Sequence, residues 1–390
     1  MRRFAPALLL VSLSALGQTW VQLADFPGTP RDDAASFTIY DKVYVGTGLD
    51  ENFQLRSDWY VYDINSDTWD TIAALPASPR QYCTSFTLND TGYLFGGLDA
   101  NGPLNELWRY DRTTDTWDQR APLPALGRYA AVALTHVWDY AYVCTGMLAG
   151  GIPTNETWKY DPITDAWAMR APIPGAARHR AAAMDNAVIG GADSAFNTLS
   201  DVYRYQQYTD SWNVGPTMPS GRYSADAADG RLICGAKNTT DVSDSCWILA
   251  AQWDVTSTPF PPGGRRSGVV GLNLFMADIN FLFYGTGSDN VQRYKDWWRY
   301  NLPGSSVEER RRERLTLFPD PADATVTLRL DGSMRNAIIE VQDMCGRTLL
   351  LDRANALTHQ LDVSGLSNGG YIVTVRSTGN VCAARLIVRH

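Results

Sequence analysis

Trp59-Tyr60-Val61-Tyr62-Asp63, closed by Trp69, is the stretch whose recurrence decides the fold. It returns as Trp108-Arg109-Tyr110-Asp111 with Trp117, and as Trp158-Lys159-Tyr160-Asp161 with Trp167. A weaker copy is Tyr203-Arg204-Tyr205 with Trp212, and a degraded one runs from Trp247 to Trp253. With Trp20 added, the closing tryptophans stand at 20, 69, 117, 167, 212 and 253, so their spacings are 49, 48, 50, 45 and 41 residues. Spacing of this regularity marks one supersecondary unit copied along the chain.

Each interval carries the same signals in the same order. An Arg, usually after Pro or Gly, opens a strand of small residues, as in Arg128-Tyr129-Ala130-Ala131-Val132-Ala133. A second strand ends in glycine: Tyr44-Val45-Gly46-Thr47-Gly48, Tyr93-Leu94-Phe95-Gly96-Gly97 or Ala187-Val188-Ile189-Gly190-Gly191. The aromatic strand follows, and a tight turn leads into the strand with the closing Trp. Four short strands per unit predict an all-β chain built of propeller blades. The glycines let neighbouring backbones approach, and the aromatic rings fill the wedges between twisted sheets.

On these residues the segment 18–302 resembles a Kelch-repeat β-propeller. At the end of the second strand Gly-Gly stands only at 96–97 and 190–191; in the other units that place reads Gly46-Thr47-Gly48, Thr145-Gly146, Gly235-Ala236 and Gly285-Thr286-Gly287. Trp20 is a closing Trp with no unit before it, whereas the last unit, ending Trp298-Arg299-Tyr300-Asn301, has no closing strand. The strand around residues 19–23 therefore completes the final blade, and the count is six. Such closure removes open sheet edges.

The ends of the chain speak to its destination. Arg2 and Arg3 precede an apolar run over 5–16, and Ala15-Leu16-Gly17 offers small residues at cleavage positions. Residues 1–17 read as a signal peptide, with Gln18 the mature start. No other stretch approaches the apolar length of a membrane span, so no transmembrane segment is expected in the mature chain. The run Ser305-Ser306-Val307-Glu308-Glu309-Arg310-Arg311-Arg312-Glu313 makes 303–314 a charged, solvated linker. From 315 to 390 alternating strands such as Thr325-Val326-Thr327-Leu328-Arg329-Leu330 and Tyr371-Ile372-Val373-Thr374-Val375 predict a small β-sandwich.

That sandwich resembles the C-terminal type A sorting domain of the type IX secretion system of Bacteroidota. The matching residues are Leu317-Phe318-Pro319-Asp320-Pro321-Ala322, Asp343 with Gly346-Arg347, Leu366-Ser367-Asn368-Gly369-Gly370-Tyr371 and Arg385-Leu386-Ile387-Val388. Asp320 stands where the family typically has Asn. The resemblance implies a Gram-negative protein, secreted or attached to the outer-membrane surface, with the type IX machinery as a partner through 315–390.

The function classes narrow by charge and residue supply. A net charge of −8 gives no electrostatic case for nucleic acid. Four His and no Cys-x-x-Cys spacing give no metal site, and no cofactor is expected. Kelch-type copper oxidases need a Tyr/His/Cys ligand set, and the propeller holds only His136 and His179. In an exported chain Cys234 and Cys246, at facing ends of neighbouring strands, are a possible disulfide. Cys345 and Cys382 are another, whereas Cys83 and Cys144 read as buried small hydrophobes.

Candidate ligand-binding residues come from propeller topology. Long unlike loops (49–57, 98–105, 147–156, 192–201) share a face with the arginines that open each blade: Arg31, Arg80, Arg128, Arg178, Arg222 and Arg265 or Arg266. Rings follow several of them: Tyr82, Tyr129, His179 and Tyr223. Together they could grip an anionic sugar at the channel mouth. A residue recurring once per blade more often serves the blade itself. Asp50, Asp99 and Asp193 open the long loops, where Asp commonly stabilises turns. The expected function is a recognition module for a glycan or a protein. The alternatives are a carbohydrate-active enzyme of the Kelch sialic acid mutarotase type, and an adhesive surface protein without a small-molecule site.

Overall fold

Burial in each repeat is deepest at the second strand and least at the outer one. In the first, Ala35–Ile39 buries alternate residues, Lys42–Gly46 is buried on both faces, and Thr68–Ile72 is largely exposed. This is the gradient expected when flat sheets stand radially around an axis, the second strand packed between neighbours. The structure is a computed structural model that describes residues 20–135, 140–228, 230–249, 252–254, 264, 266–276 and 279–301 of the first region. Near the C-terminus it describes 316–319, 322–329, 337–343, 348–354, 356, 358–377 and 380–390. The signal peptide at 1–17, His136, Arg265, the 303–314 linker and Cys345 fall outside the described residues, as does the side chain of Cys382. The chain divides into two units, Met1–Pro303 and Gly304–His390.

The first unit holds six four-stranded antiparallel sheets among its described residues. Blade 1 runs Ala35–Ile39, Lys42–Gly46, Trp59–Asp63 and Thr68–Ile72. Blade 2 runs Thr84–Leu88, Thr91–Phe95, Leu107–Asp111 and Thr116–Arg120. Blade 3 has Val132–Leu134, Ala141–Cys144, Thr157–Asp161 and Ala166–Arg170; blade 4 has Ala182–Met184, Ala187–Ile189, Val202–Gln206 and Ser211–Val214. Blade 5 is Asp226–Ala228, Arg231–Ile233, Cys246–Leu249 and Trp253–Asp254. Blade 6 takes Val270–Met276, Ile279–Gly285 and Trp297–Asn301, and its outer strand is Trp20–Gln22, paired antiparallel to Trp297–Asn301 with Trp20 opposite Tyr300. The innermost strands touch in chain order and the sixth touches the first, so the ring is closed.

The second unit has two sheets, Thr316–Phe318 with Thr325–Arg329 and Thr358–Asp362, and Thr348–Ala354 with Ala337–Asp343, Gly369–Ser377 and Asn380–Val388. Alternate residues such as Val326, Leu328, Ile339, Val341, Val373 and Leu386 are buried in one shared core. No helix among the described residues is long and apolar enough to cross a membrane.

Candidate functional site

The repeated residues prove to be joints between blades. The closing indoles donate from Nε1 to a carbonyl just past the outer strand of the preceding blade: Trp69 to Ala24, Trp117 to Ala73, Trp167 to Ala121 and Trp212 to Ala171, at 2.8 to 2.9 Å. The turn aspartates Asp67, Asp115, Asp165 and Asp210 each accept a tyrosine hydroxyl of their own blade and a backbone N–H of the preceding one.

Glycine is required at one position of each blade. Gly48, Gly97, Gly146, Gly191, Gly235 and Gly287 have φ between +88° and +107°, a region that side chains with a Cβ avoid. Their N–H groups donate to the carbonyls of Arg80, Arg128, Arg178, Arg222, Arg266 and Arg31, at 2.7 to 3.0 Å, so every blade is tied to the next. The residue before each glycine is left-handed but less extreme, φ +55° to +65°, and there Thr47, Thr145, Cys234 and Thr286 serve as well as Gly96 and Gly190. The doublet of blade 5 is thus Cys234-Gly235, one residue earlier than the expected Gly235-Ala236.

The blade-opening arginines are embedded in the scaffold, and the expectation that they present a gripping ring to ligand is corrected. Arg31, Arg80, Arg128, Arg178 and Arg266 are at most 1% exposed. Each guanidinium is paired within its blade, to Asp58, Glu106, Glu156, Asp201 and Asp296 respectively, at 2.5 to 2.8 Å. Several also donate to backbone carbonyls, as Arg31 does to Thr47 and Arg178 to Gly190. A cation held this way has its charge met internally, although Nε and Nη1 of Arg128 have no hydrogen-bond partner. Arg222 is equally buried, with a serine hydroxyl in place of the carboxylate. The structure places Arg266, beside the expected Arg265, at this position in blade 6.

Two residues further on stands a different ring. Asp33, Tyr82, Ala130, Arg180, Ser224 and Gly268 all have φ between +49° and +61°. Each N–H donates to the carbonyl of its counterpart in the preceding blade, Asp33 to Gly268 closing the circle, at 2.8 to 3.3 Å. All six line a cavity of about 390 Å³ along the propeller axis. The backbone is the same in every blade; the side chains differ. Below the ring the wall is made of small residues such as Ser36, Ser85, Ala133, Ala183 and Ala227.

A scan of family models finds the KLHDC2/KLHL20/DRC7 Kelch-repeats domain over residues 8–189. The chain is a Kelch-repeat propeller protein. The model described as a secretion system C-terminal sorting domain matches 316–389, the type IX sorting tail, so this Kelch protein carries the mark for handling by that secretion system. Among curated proteins none matches. The solved structure of YjhT superposes with a TM-score of 0.61 at 17% identity, covering 73% of this chain and 98% of that one. At that identity the likeness concerns the fold.

Within the Kelch channel the polar groups gather at one place on the ring. Arg180 donates from Nη2 to the Tyr82 hydroxyl at 2.7 Å and from Nη1 to Ser224 Oγ at 3.3 Å, while its Nε has no partner. Its guanidinium lies 4.3 Å from the Tyr82 ring centre, 5.7 Å from that of Phe196 and 6.0 Å from that of Tyr223. Among the described residues it makes no ion pair. Burial, reinforced by the charge of Asp32, pushes the Asp33 carboxyl up to about 7, although Arg180, Tyr82 and Arg293 pull the other way. Asp32 is itself bound to Arg293 at 2.7 Å. Lower in the channel wall, burial pushes Asp226 to about 7 despite hydrogen bonds from the N–H groups of Gly271 and Ala227.

Of the expected rings, Tyr82 lines the channel and Tyr129 packs against it at 5.7 Å. His179 and Tyr223 are buried. Burial and the neighbouring Arg180 charge lower His179 to about 4, so it is neutral at physiological pH, with Nε2 toward the Asp193 carbonyl. Asp50, Asp99 and Asp193 cap turns by accepting from backbone N–H groups two residues on. Asp33 and Arg180 were not singled out by sequence reasoning; the available signal was a polar residue two places after four of the blade-opening arginines, at 33, 82, 180 and 224.

Cys234 is a free thiol, so the expected disulfide from it to Cys246 is corrected. Ile233, not Cys234, pairs with Cys246, and the left-handed Cys234 turns its thiol to the Tyr284 hydroxyl, 3.4 Å away. The described residues hold no cluster able to bind a metal ion.

Proposed function

We propose that this exported Kelch propeller is a recognition module for a glycan that carries a carboxylate, bound at the channel mouth. The observation that carries the reading is Arg180: a cation without an ion pair among the described residues, facing the cavity with an unpartnered Nε between aromatic rings. A carboxylate would add a charge-assisted hydrogen bond there, while Tyr82 and Ser224 offer hydroxyls and ring surface to the sugar. The sorting domain supports a location where extracellular glycans are met, with release or surface attachment following export. Glycan-array binding of the mature exported chain tests this. Saturable binding of acidic glycans, lost in Arg180→Gln and weakened in Tyr82→Phe, is expected; binding only to a protein partner would favour the adhesive alternative.

One observation favours a second reading. Asp33, near pKa 7 and next to Tyr82, could exchange a proton with a sugar hydroxyl at neutral pH, as an enzyme acting on anomeric configuration requires. NMR of a bound glycan would separate the two: an accelerated anomeric exchange abolished in Asp33→Asn supports catalysis, and an unchanged ligand supports recognition.

A further inference from the structure

Arg222 occupies in blade 5 the place that Arg31, Arg80, Arg128, Arg178 and Arg266 occupy elsewhere, and is 3% exposed. In those five blades an Asp or Glu meets the guanidinium. In blade 5 the corresponding residue is Ser245, whose Oγ lies 3.4 Å from Nη2. Nε and Nη1 of Arg222 have no hydrogen-bond partner, whereas Nη1 of Arg31, Arg178 and Arg266 donates to a backbone carbonyl. The guanidinium carbon lies over the Trp247 ring, 4.1 Å from its centre, and the charges of Asp241 and Asp244 act on it. Burial pulls it down to about 10. Arg222 does not line the axial channel.

A buried cation whose donors are left unsatisfied is costly, and proteins offset that cost by bringing in an opposite charge. Serine lacks the carboxylate group of the other blades, a group comparable in size to a halide ion. We propose that blade 5 binds a small monovalent inorganic anion of the chloride class between Arg222 and Ser245. The ion takes the electrostatic part that Asp58, Glu106, Glu156, Asp201 and Asp296 play in their blades. The orphan Nη1, with Nη2 beside it, and the serine hydroxyl supply the donors, and the indole covers one face of the guanidinium.

The test is thermal melting of the mature exported chain in sodium chloride against sodium gluconate at equal ionic strength. The wild type should gain about 2 °C for each tenfold rise in chloride above saturation. Ser245→Asp, which restores the internal carboxylate, should melt higher in gluconate and lose the chloride response. Arg180→Gln should keep the wild-type response, which separates this site from the channel mouth. An equal chloride response in wild type and Ser245→Asp, no response in either, or a response lost only in Arg180→Gln would overturn the proposal. If Ser245→Asp does not fold, bromide-soaked crystals of the wild type decide: an anomalous peak within hydrogen-bonding distance of the Arg222 guanidinium supports the site, and its absence overturns it.

Discussion

Two rings of side chains, two residues apart on the segments that lead into the six innermost strands, have opposite characters. The first is arginine in every blade, buried, and in five blades locked to a carboxylate. The second shares one backbone conformation and one circle of hydrogen bonds, yet reads Asp33, Tyr82, Ala130, Arg180, Ser224 and Gly268. Identity around a ring reflects a duty that every blade must perform. Variety on an invariant backbone marks positions freed from that duty, and these face the channel. Arg178 and Arg180 make the contrast within one blade: the former is fully buried on Asp201, while the latter reaches to Tyr82 of the second blade.

The largest expected effect comes from breaking the first ring. Arg178→Ala leaves Asp201 without its cation and the Gly190 carbonyl without its donor, and should destabilise by about 3 kcal/mol. A shift of the urea midpoint corresponding to less than about 1 kcal/mol would remove the scaffold role. Next, Gly97→Ala forces φ +97° on a residue with a Cβ and places that atom 2.5 Å from Cys83 Sγ, for a loss of about 2 kcal/mol. Thr145→Gly, at the preceding position of blade 3, should stay within about 0.5 kcal/mol, since relief of the left-handed strain at φ +65° is offset by the greater freedom of glycine in the unfolded chain. Equal losses at both positions would mean that the doublet is constrained as a unit.

How much of this was legible in the sequence follows from the same contrast. The fold could be read because closing tryptophans, turn aspartates and paired glycines repeat, and each repeats because it joins one blade to the next. The site could not be read in this way. Arg180 follows Arg178 so closely that the repeating arginine drew the functional reading, although repetition itself argued for structural work. Asp33 sits in a similar shadow, behind Arg31 and Asp32. The disulfide expectation failed because the Cys234 thiol is turned away by a left-handed backbone, which residue spacing does not reveal.

A smaller effect sharpens the comparison inside the channel. Asp226 has a folded pKa near 7 against an ordinary value of 3.8. Between these values the folded chain holds the extra proton, so stability is greatest below about pH 4 for this group and is lost as pH rises toward 7. Asp226→Asn should flatten that part of the stability profile and raise the urea midpoint at pH 8 relative to wild type. An unchanged slope would show that Asp226 ionises without penalty in the folded state.

The smallest stability effect and the largest functional one should coincide at Arg180. Arg180→Gln removes hydrogen bonds to Tyr82 and Ser224 and should cost about 1 kcal/mol or less. Titration calorimetry of this variant beside wild type, with an acidic glycan that the wild type binds, is the most direct test of the division between the two rings. The account predicts at least a tenfold loss of affinity in a protein whose melting temperature is almost unchanged. Retained affinity in the folded Arg180→Gln protein would contradict it.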